Sequence, residues 1–161
     1  MGSQGGRPRS DDVDGYARLC DTLDIRIAGG EADFNKHSFA RFFSRKALDI
    51  VQPNAARAAG VTETRKIVEM AQAFRIPYAP HTGSSSNVTI AVSLQLATFA
   101  PNFLIYEYMQ SDWNKTQRNP LRWDLCTLPI KEFKDSHIVL EEKPGLGIEL
   151  NEEVIERHRL P

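Results

Sequence analysis

Four polar residues that could bind a metal ion or move a proton each follow a short apolar run. They are Glu31, Asn54, His81 and Glu107, separated by 23, 27 and 26 residues. Carboxylates suit hard cations such as Mg²⁺, and an imidazole can transfer a proton near neutral pH. One polar residue after a strand means little, but four at a nearly constant interval indicate a repeating unit that brings them to one edge.

Residues 48–83 show how such a unit is built. The predicted elements are a strand at 48–52, a helix at 62–74 and a second strand at 76–79. A helix between two short apolar runs is the connection that parallel strands require. Both strand ends should therefore fall on the same edge of a sheet, with Asn54 after the first strand and His81 after the second.

The same alternation of strand and helix recurs on both sides of this segment, so we expect an α/β protein. The other predicted elements are a helix at 11–22, a strand at 25–28, a helix at 36–47, a helix at 87–99, a strand at 103–106, an irregular stretch at 111–137, a strand at 138–140, a turn at 144–147 and a final helix near 152–158. Ser10, Asn35 and Thr62 are candidate N-caps of the first three helices. Gly29 and Gly30 before Glu31 predict close backbone approach or unusual dihedral angles.

Composition narrows the class of protein. The chain has 161 residues, which favours one domain, and its 20 Lys and Arg against 21 Asp and Glu argue against nucleic acid or membrane partners. No apolar run approaches the ~20 residues of a membrane span, and the N-terminus lacks the apolar core of a secretion signal, so we expect a cytoplasmic protein. Cys20 and Cys126 lie far apart and are interpreted as buried thiols.

The number of units leaves two architectures open. Strand-and-helix repeats commonly close as an eight-stranded barrel, which takes ~250 residues. With four units and a tail, the chain is either an open α/β sheet that is complete in itself or half a barrel.

Several segments resemble a known family in order and spacing. They are IRIAGGE, ALDIVQPNAARAAGVTETRKI, IPYAPH, PNFLIYE and KPGLGIEL. Together they resemble the C-terminal half of the enolase superfamily, in its mandelate racemase and muconate lactonising branch. The resemblance implies a partial (β/α)8 TIM barrel, with strands 5–8, their helices and a C-terminal return segment. We divide the chain into a disordered lead-in at 1–9, this half-barrel at 10–112 and an irregular C-terminal segment with short strands and a final helix at 113–161.

The resemblance also implies roles for the polar residues at the strand ends. In that family three carboxylates bind Mg²⁺, and a base removes the proton α to a substrate carboxylate. Glu31 would be the third metal ligand, and His81 the base or acid. Glu107 would bond the carboxylate or the enediolate of the substrate. The partner would be a small-molecule carboxylate such as a sugar acid, and the complete enzyme would be a homo-oligomer.

Asn54 departs from the family pattern, which usually has an Asp that pairs with the His. We expect its amide oxygen to accept a hydrogen bond from the ring of His81 and so to orient it. An amide supplies no charge, which leaves His81 a weaker base and, when protonated, a better acid. This favours dehydration, in which His81 protonates a departing β-hydroxyl, over racemisation, epimerisation or lactonisation.

The match begins after the fourth strand of the barrel. The second-strand Lys, the first two metal carboxylates and the N-terminal capping domain have no counterpart in this sequence. A hard cation needs several oxygen ligands, so we expect a fragment that is inactive alone and binds Mg²⁺ weakly or not at all. The alternative is a non-catalytic structural fragment, which would dock with the missing half or associate through its open sheet edges.

Overall fold

The computed structural model describes residues 11–83, 85–108 and 120–160. The elements are α1 (Val13–Thr22), β1 (Ala28–Gly29), α2 (Lys36–Ser44), β2 (Ile50–Val51), α3 (Gly60–Ala73), α4 (Asn87–Phe99), α5 (Pro120–Trp123), β3 (Ile130–Lys134), β4 (His137–Leu140) and α6 (Glu152–Arg157). Among the described residues, no helix has the length and apolar character needed to cross a membrane.

The parallel strands run in sequence order but are shorter than expected. β1 pairs with β2 in parallel, Val51 of β2 forms a parallel bridge with Tyr78, and Tyr78 forms another with Phe103. The predicted strands at 76–79 and 103–106 are therefore single bridges, and the predictions of 25–28 and 48–52 were too long.

The helices of the first half largely follow the predicted pattern. The side chain of Asn35 caps α2 by accepting from the backbone of His37 and Ser38, as expected. The prediction for Thr62 was wrong, because α3 begins two residues earlier after Ala59, which lies in the left-handed region and makes no side-chain cap. Ser10 lies outside the described residues, and the N-cap of α1 is Asp12.

Two compact units divide the chain, and each is described by itself. The first contains the described residues up to His81 together with Ala97–Tyr106, and the second contains Thr82–Leu96 and the described residues from Glu107 onward.

The core of the first unit lies where α2 and α3 meet the parallel strands. Fully buried side chains from these elements are Phe39, Phe42 and Phe43 of α2, Val51 and Tyr78 of the strands, and Ile67, Val68 and Ala71 of α3. Burying one large apolar side chain contributes about 1.5–3 kcal/mol. This packing holds the strand ends in place.

In the second unit the predicted strand at 138–140 is confirmed as β4, but the hairpin that it forms with β3 was not predicted. β3 and β4 pair antiparallel, whereas we expected 111–137 to be irregular. Residues 109–119 of that stretch lie outside the described part. The final helix α6 is confirmed, as is a turn in which Gly147 donates to the carbonyl of Pro144. Residues of α4 in this unit are buried on more than one face, as expected.

Candidate functional site

Three strand ends of the first unit lie together. Glu31 follows β1, Asn54 follows β2, and His81 follows the bridge at Tyr78. The backbone N–H of His81 donates to the carbonyl of Pro53 at 3.3 Å, which fixes the second and third strand ends against one another. The carboxyl ends of these parallel segments thus share one edge, as the repeat predicted.

Gly30 explains how Glu31 reaches this edge. Its φ is +104°, in the region that favours glycine, and a Cβ built on it would lie 2.6 Å from the ring of Phe39. The backbone therefore turns tightly over the aromatic core just before the carboxylate. The expectation of close approach or unusual dihedral angles at the glycine pair is confirmed at this residue.

The imidazole of His81 contacts a polar group at each nitrogen. Its Nε2 lies 2.8 Å from Oε2 of Glu31, and its Nδ1 lies 3.4 Å from Nδ2 of Asn54. The three side chains differ in exposure: Asn54 is 4% exposed, the His81 side chain 18% and the Glu31 side chain 52%. The site therefore has a buried amide at its base, a carboxylate open to solvent and a ring between them.

The orientation of Asn54 corrects the sequence prediction. Its Oδ1 accepts from the backbone N–H groups of Ala56 at 3.0 Å and Arg57 at 3.4 Å. The side-chain nitrogen therefore faces His81, whereas we had expected the amide oxygen to accept from the ring. The sequence did contain a signal for this turn, because Asn readily accepts from its own backbone two and three residues on.

Glu107 belongs to the second unit. Its backbone carbonyl accepts a hydrogen bond from the hydroxyl of Thr82 at 2.8 Å, and Thr82 is buried. The sequence did not single out Thr82, whose position directly after His81 is the feature that could have drawn attention to it. The grouping of the Glu107 carboxylate with the residues of the first unit stays a prediction.

Cys20, in α1, is a free cysteine whose thiol is disfavoured from ionising. Burial, and then the neighbouring carboxylate of Asp49, raise the pKa of its thiol to about 11. Burial also raises the pKa of the Cys126 thiol. The interpretation as a buried thiol is confirmed for Cys126, whereas Cys20 is only partly buried.

The residues at the strand ends do not by themselves fit a Mg²⁺ site. Within the described part of the chain, no three His, Cys, Asp or Glu side chains are grouped so that they could hold a metal ion. Glu31 offers one carboxylate, and its Oε2 already contacts His81. Hard cations take about six oxygen ligands, so the rest of such a site would have to come from other groups.

A family model described as enolase C-terminal domain-like matches residues 7–154. The chain belongs to this family. It is 35% identical over 150 residues to a D-galactonate dehydratase of Pectobacterium atrosepticum, covering 89% of this chain and 37% of that protein. It is 34% identical over 134 residues to a D-xylonate dehydratase of Haloferax volcanii, covering 82% of this chain and 30% of that protein.

The fold also matches solved structures of this group. The 3,6-anhydro-D-galactonate cycloisomerase of Zobellia galactanivorans superposes with a TM-score of 0.79 at 30% identity, over 93% of this chain and 40% of that one. The homologues of this chain are therefore sugar-acid dehydratases and cycloisomerases, and members of the enolase superfamily generally use Mg²⁺. The chain spans well under half the length of the relatives it matches.

Proposed function

We propose that this chain carries part of the active site of a sugar-acid dehydratase, an enzyme that removes the proton α to a carboxylate. The proposal depends above all on the meeting of Glu31, Asn54 and His81 at the ends of parallel strand segments. Enzymes of this architecture place catalytic groups at the carboxyl ends of their strands. The matched dehydratases of D-galactonate and D-xylonate suggest the class of substrate.

In the proposed reaction an aldonic or aldaric acid loses water to give a 2-keto-3-deoxy acid. A base takes the α-proton, the bond between the β-carbon and its hydroxyl breaks, and the hydroxyl leaves as water with a proton from His81. The resulting enol takes up a proton at the β-carbon and becomes the keto acid. We assign Glu107 to a hydrogen bond with the substrate's carboxylate, and Glu31 to the metal ion of the complete enzyme.

A racemase, epimerase, lactonising enzyme or cycloisomerase is the second candidate, favoured by the match to the Zobellia galactanivorans cycloisomerase. Racemisation requires His81 to accept a proton as well as to give one. Asn54 lacks the charge that would favour the protonated ring. This is why we prefer dehydration.

We further propose that the four strand segments correspond to strands 5–8 of a (β/α)8 barrel, and that polypeptide outside this sequence supplies the others. Support comes from the match to a C-terminal domain model and from the coverage of 37% of the D-galactonate dehydratase. The lack of a three-ligand group among the described residues agrees with it. The chain alone is then inactive and binds Mg²⁺ weakly or not at all.

A non-catalytic structural role is the candidate from another class. Apolar side chains are exposed in both outer strand regions, where Ile25 is 69% and Ile105 is 63% exposed. An exposed apolar strand edge favours pairing with another strand. In this alternative the chain acts by association, and the polar residues at its strand ends have no catalytic use.

A chimera tests the catalytic proposal. The preceding part of the Pectobacterium atrosepticum dehydratase would be joined to this chain and incubated with Mg²⁺ and a panel of sugar acids in D₂O. We expect a keto product that reacts with semicarbazide, its loss in His81→Ala, and its retention in His37→Ala, which changes an exposed histidine of α2. Exchange of the α-proton without a keto product would support the racemase candidate instead.

A further inference from the structure

The two ring nitrogens of His81 face groups of different hydrogen-bonding character. Nδ1 lies 3.4 Å from the amide nitrogen of Asn54, and Nε2 lies 2.8 Å from a carboxylate oxygen of Glu31. A neutral imidazole carries one hydrogen, so one nitrogen donates and the other accepts. The neighbours therefore decide which nitrogen holds the hydrogen.

The amide of Asn54 has a fixed orientation. Its Oδ1 accepts from two backbone N–H groups, those of Ala56 and Arg57. Exchanging the oxygen and the nitrogen would point the NH₂ group at both of these donors. Because Asn54 is 4% exposed, water could not easily compensate for the lost bonds. The nitrogen that faces His81 is therefore the amide nitrogen.

Both contacts then select the same tautomer. The NH₂ group of Asn54 can only donate, so Nδ1 of His81 must accept. The hydrogen of the neutral ring lies on Nε2, where the carboxylate of Glu31 accepts it. Each contact on its own indicates this tautomer, and the two indications agree.

We propose that Asn54 is a positioning residue that holds neutral His81 in its Nε2–H tautomer. An Asp at this position would accept from Nδ1–H and leave a lone pair on Nε2. Asn54 reverses this arrangement, so the ring presents a donor at the strand ends. A neutral ring in this tautomer cannot take a proton at Nε2, which racemisation through that nitrogen would require, and it can act as the acid of the proposed dehydration only after Nδ1 has taken a proton. This last consequence rests on the proposed function, but the tautomer itself does not.

Nitrogen NMR of the ¹⁵N-labelled chain tests the proposal, in a pH range where the ring shifts no longer change and the ring is neutral. In the wild-type chain we expect His81 to show a protonated, pyrrole-type Nε2 and an unprotonated, pyridine-type Nδ1. Asn54→Asp replaces the donor beside Nδ1 with an acceptor that competes with Glu31 at Nε2, so the Nδ1 shift should move toward the pyrrole-type value and the Nε2 shift toward the pyridine-type value. The carboxylate still accepts from Ala56 and Arg57, so the turn is retained.

Asn35→Asp is the matched control. It introduces the same charge at the N-cap of α2, where a carboxylate also accepts from the backbone of His37 and Ser38. It should leave the His81 shifts unchanged. A pyridine-type Nε2 in the wild-type chain, or an Asn54→Asp spectrum identical to the wild type, would overturn the proposal. No substrate or metal is present, so failure of the dehydratase assay would leave this result standing.

Discussion

The centre of the parallel strands, which packs against helices (the packed side), and the two outer edges of the strand order (the open ends) differ sharply in burial. Val51 and Tyr78, in the middle of the strand order, are fully buried against the helices of the first unit. Ile25 before β1 and Ile105 after the bridge at Phe103 are 69% and 63% exposed. Helices of the chain itself therefore cover the central strands. The two apolar residues that flank the outer strands are exposed to solvent in the described part of the chain. This contrast agrees with the proposal that further strands lie beside both ends.

The largest expected effect is a difference in unfolding free energy between truncations in the two regions. Phe39→Ala removes a fully buried ring and should lower the free energy of unfolding by about 3–5 kcal/mol. Phe103→Ala, at a side chain that is 40% exposed, should cost well under half as much. Urea denaturation of both variants measures the difference. Equal losses would contradict the contrast between packed side and open end.

Gly30→Ala tests the close contact between the backbone before Glu31 and the buried ring of Phe39. Positive φ costs an alanine about 1–3 kcal/mol, and contact with the ring of Phe39 should add to it. Gly60→Ala is the control, because φ there is +84° but a Cβ meets nothing within 4 Å. Thermal or urea unfolding should show a larger loss for Gly30→Ala. If the two variants lost the same free energy of unfolding, the contact with Phe39 would make no contribution of its own.

Tyr78→Phe examines a polar atom inside the packed side. The hydroxyl of Tyr78 is buried with no hydrogen-bond partner among the described residues, and burial raises its pKa. Removing an unsatisfied buried polar group should leave stability unchanged or raise it by about 1 kcal/mol. Tyr78→Ala, which also removes the ring, should instead lose several kcal/mol. A clear loss in Tyr78→Phe, measured by urea denaturation, would reveal a partner for the hydroxyl.

The smallest effect concerns an ion pair at the rim of the packed side. The carboxylate of Glu63 accepts from the backbone and the side chain of Lys36, both at 3.1 Å, and these bonds lower its pKa from 4.5. Because the pKa of Glu63 is lower in the folded chain than in the unfolded chain, its charged carboxylate stabilises the fold. This stabilisation is fully present above the unfolded-state pKa and is lost as the pH falls through the folded-state pKa.

Glu63→Gln should therefore be less stable than the wild type at about pH 7, with the difference closing toward about pH 3. The control is Glu69→Gln, which breaks an exposed pair with Arg65 inside α3 and should change little. If wild type and Glu63→Gln differed in stability by the same amount at both pH values, the charge of Glu63 would not be the cause of the difference.

The sequence predicted the helices better than the strands, for physical reasons. Helix bounds depend on local periodicity and caps, so α4 and the Asn35 cap could be predicted. Strand length depends on pairing partners, which local sequence does not reveal. The β3–β4 hairpin was missed because Asp135 and Ser136 both take positive φ at its turn, +50° and +62°, without a glycine to signal it.

At the site, residue types and spacing predicted that Glu31, Asn54 and His81 meet, but not how they bond, and the grouping of Glu107 with them stays a prediction. An asparagine at position 54 indicates that its side chain can accept from the following backbone, but it does not show that this turn forms and so which amide atom faces the ring of His81. Two backbone N–H groups of the following turn decide it, and only a structure shows them. The roles of Glu31, His81 and Glu107 in a reaction stay predictions.

The central claim, that this chain holds only part of a catalytic site, can be tested on the purified chain alone. It would be incubated with Mg²⁺ and a panel of aldonic acids that includes D-galactonate and D-xylonate, and assayed with semicarbazide. Calorimetry of Mg²⁺ binding would be measured in parallel. We predict no keto product and no saturable heat. Turnover by the isolated chain, lost in His81→Ala, would contradict the account.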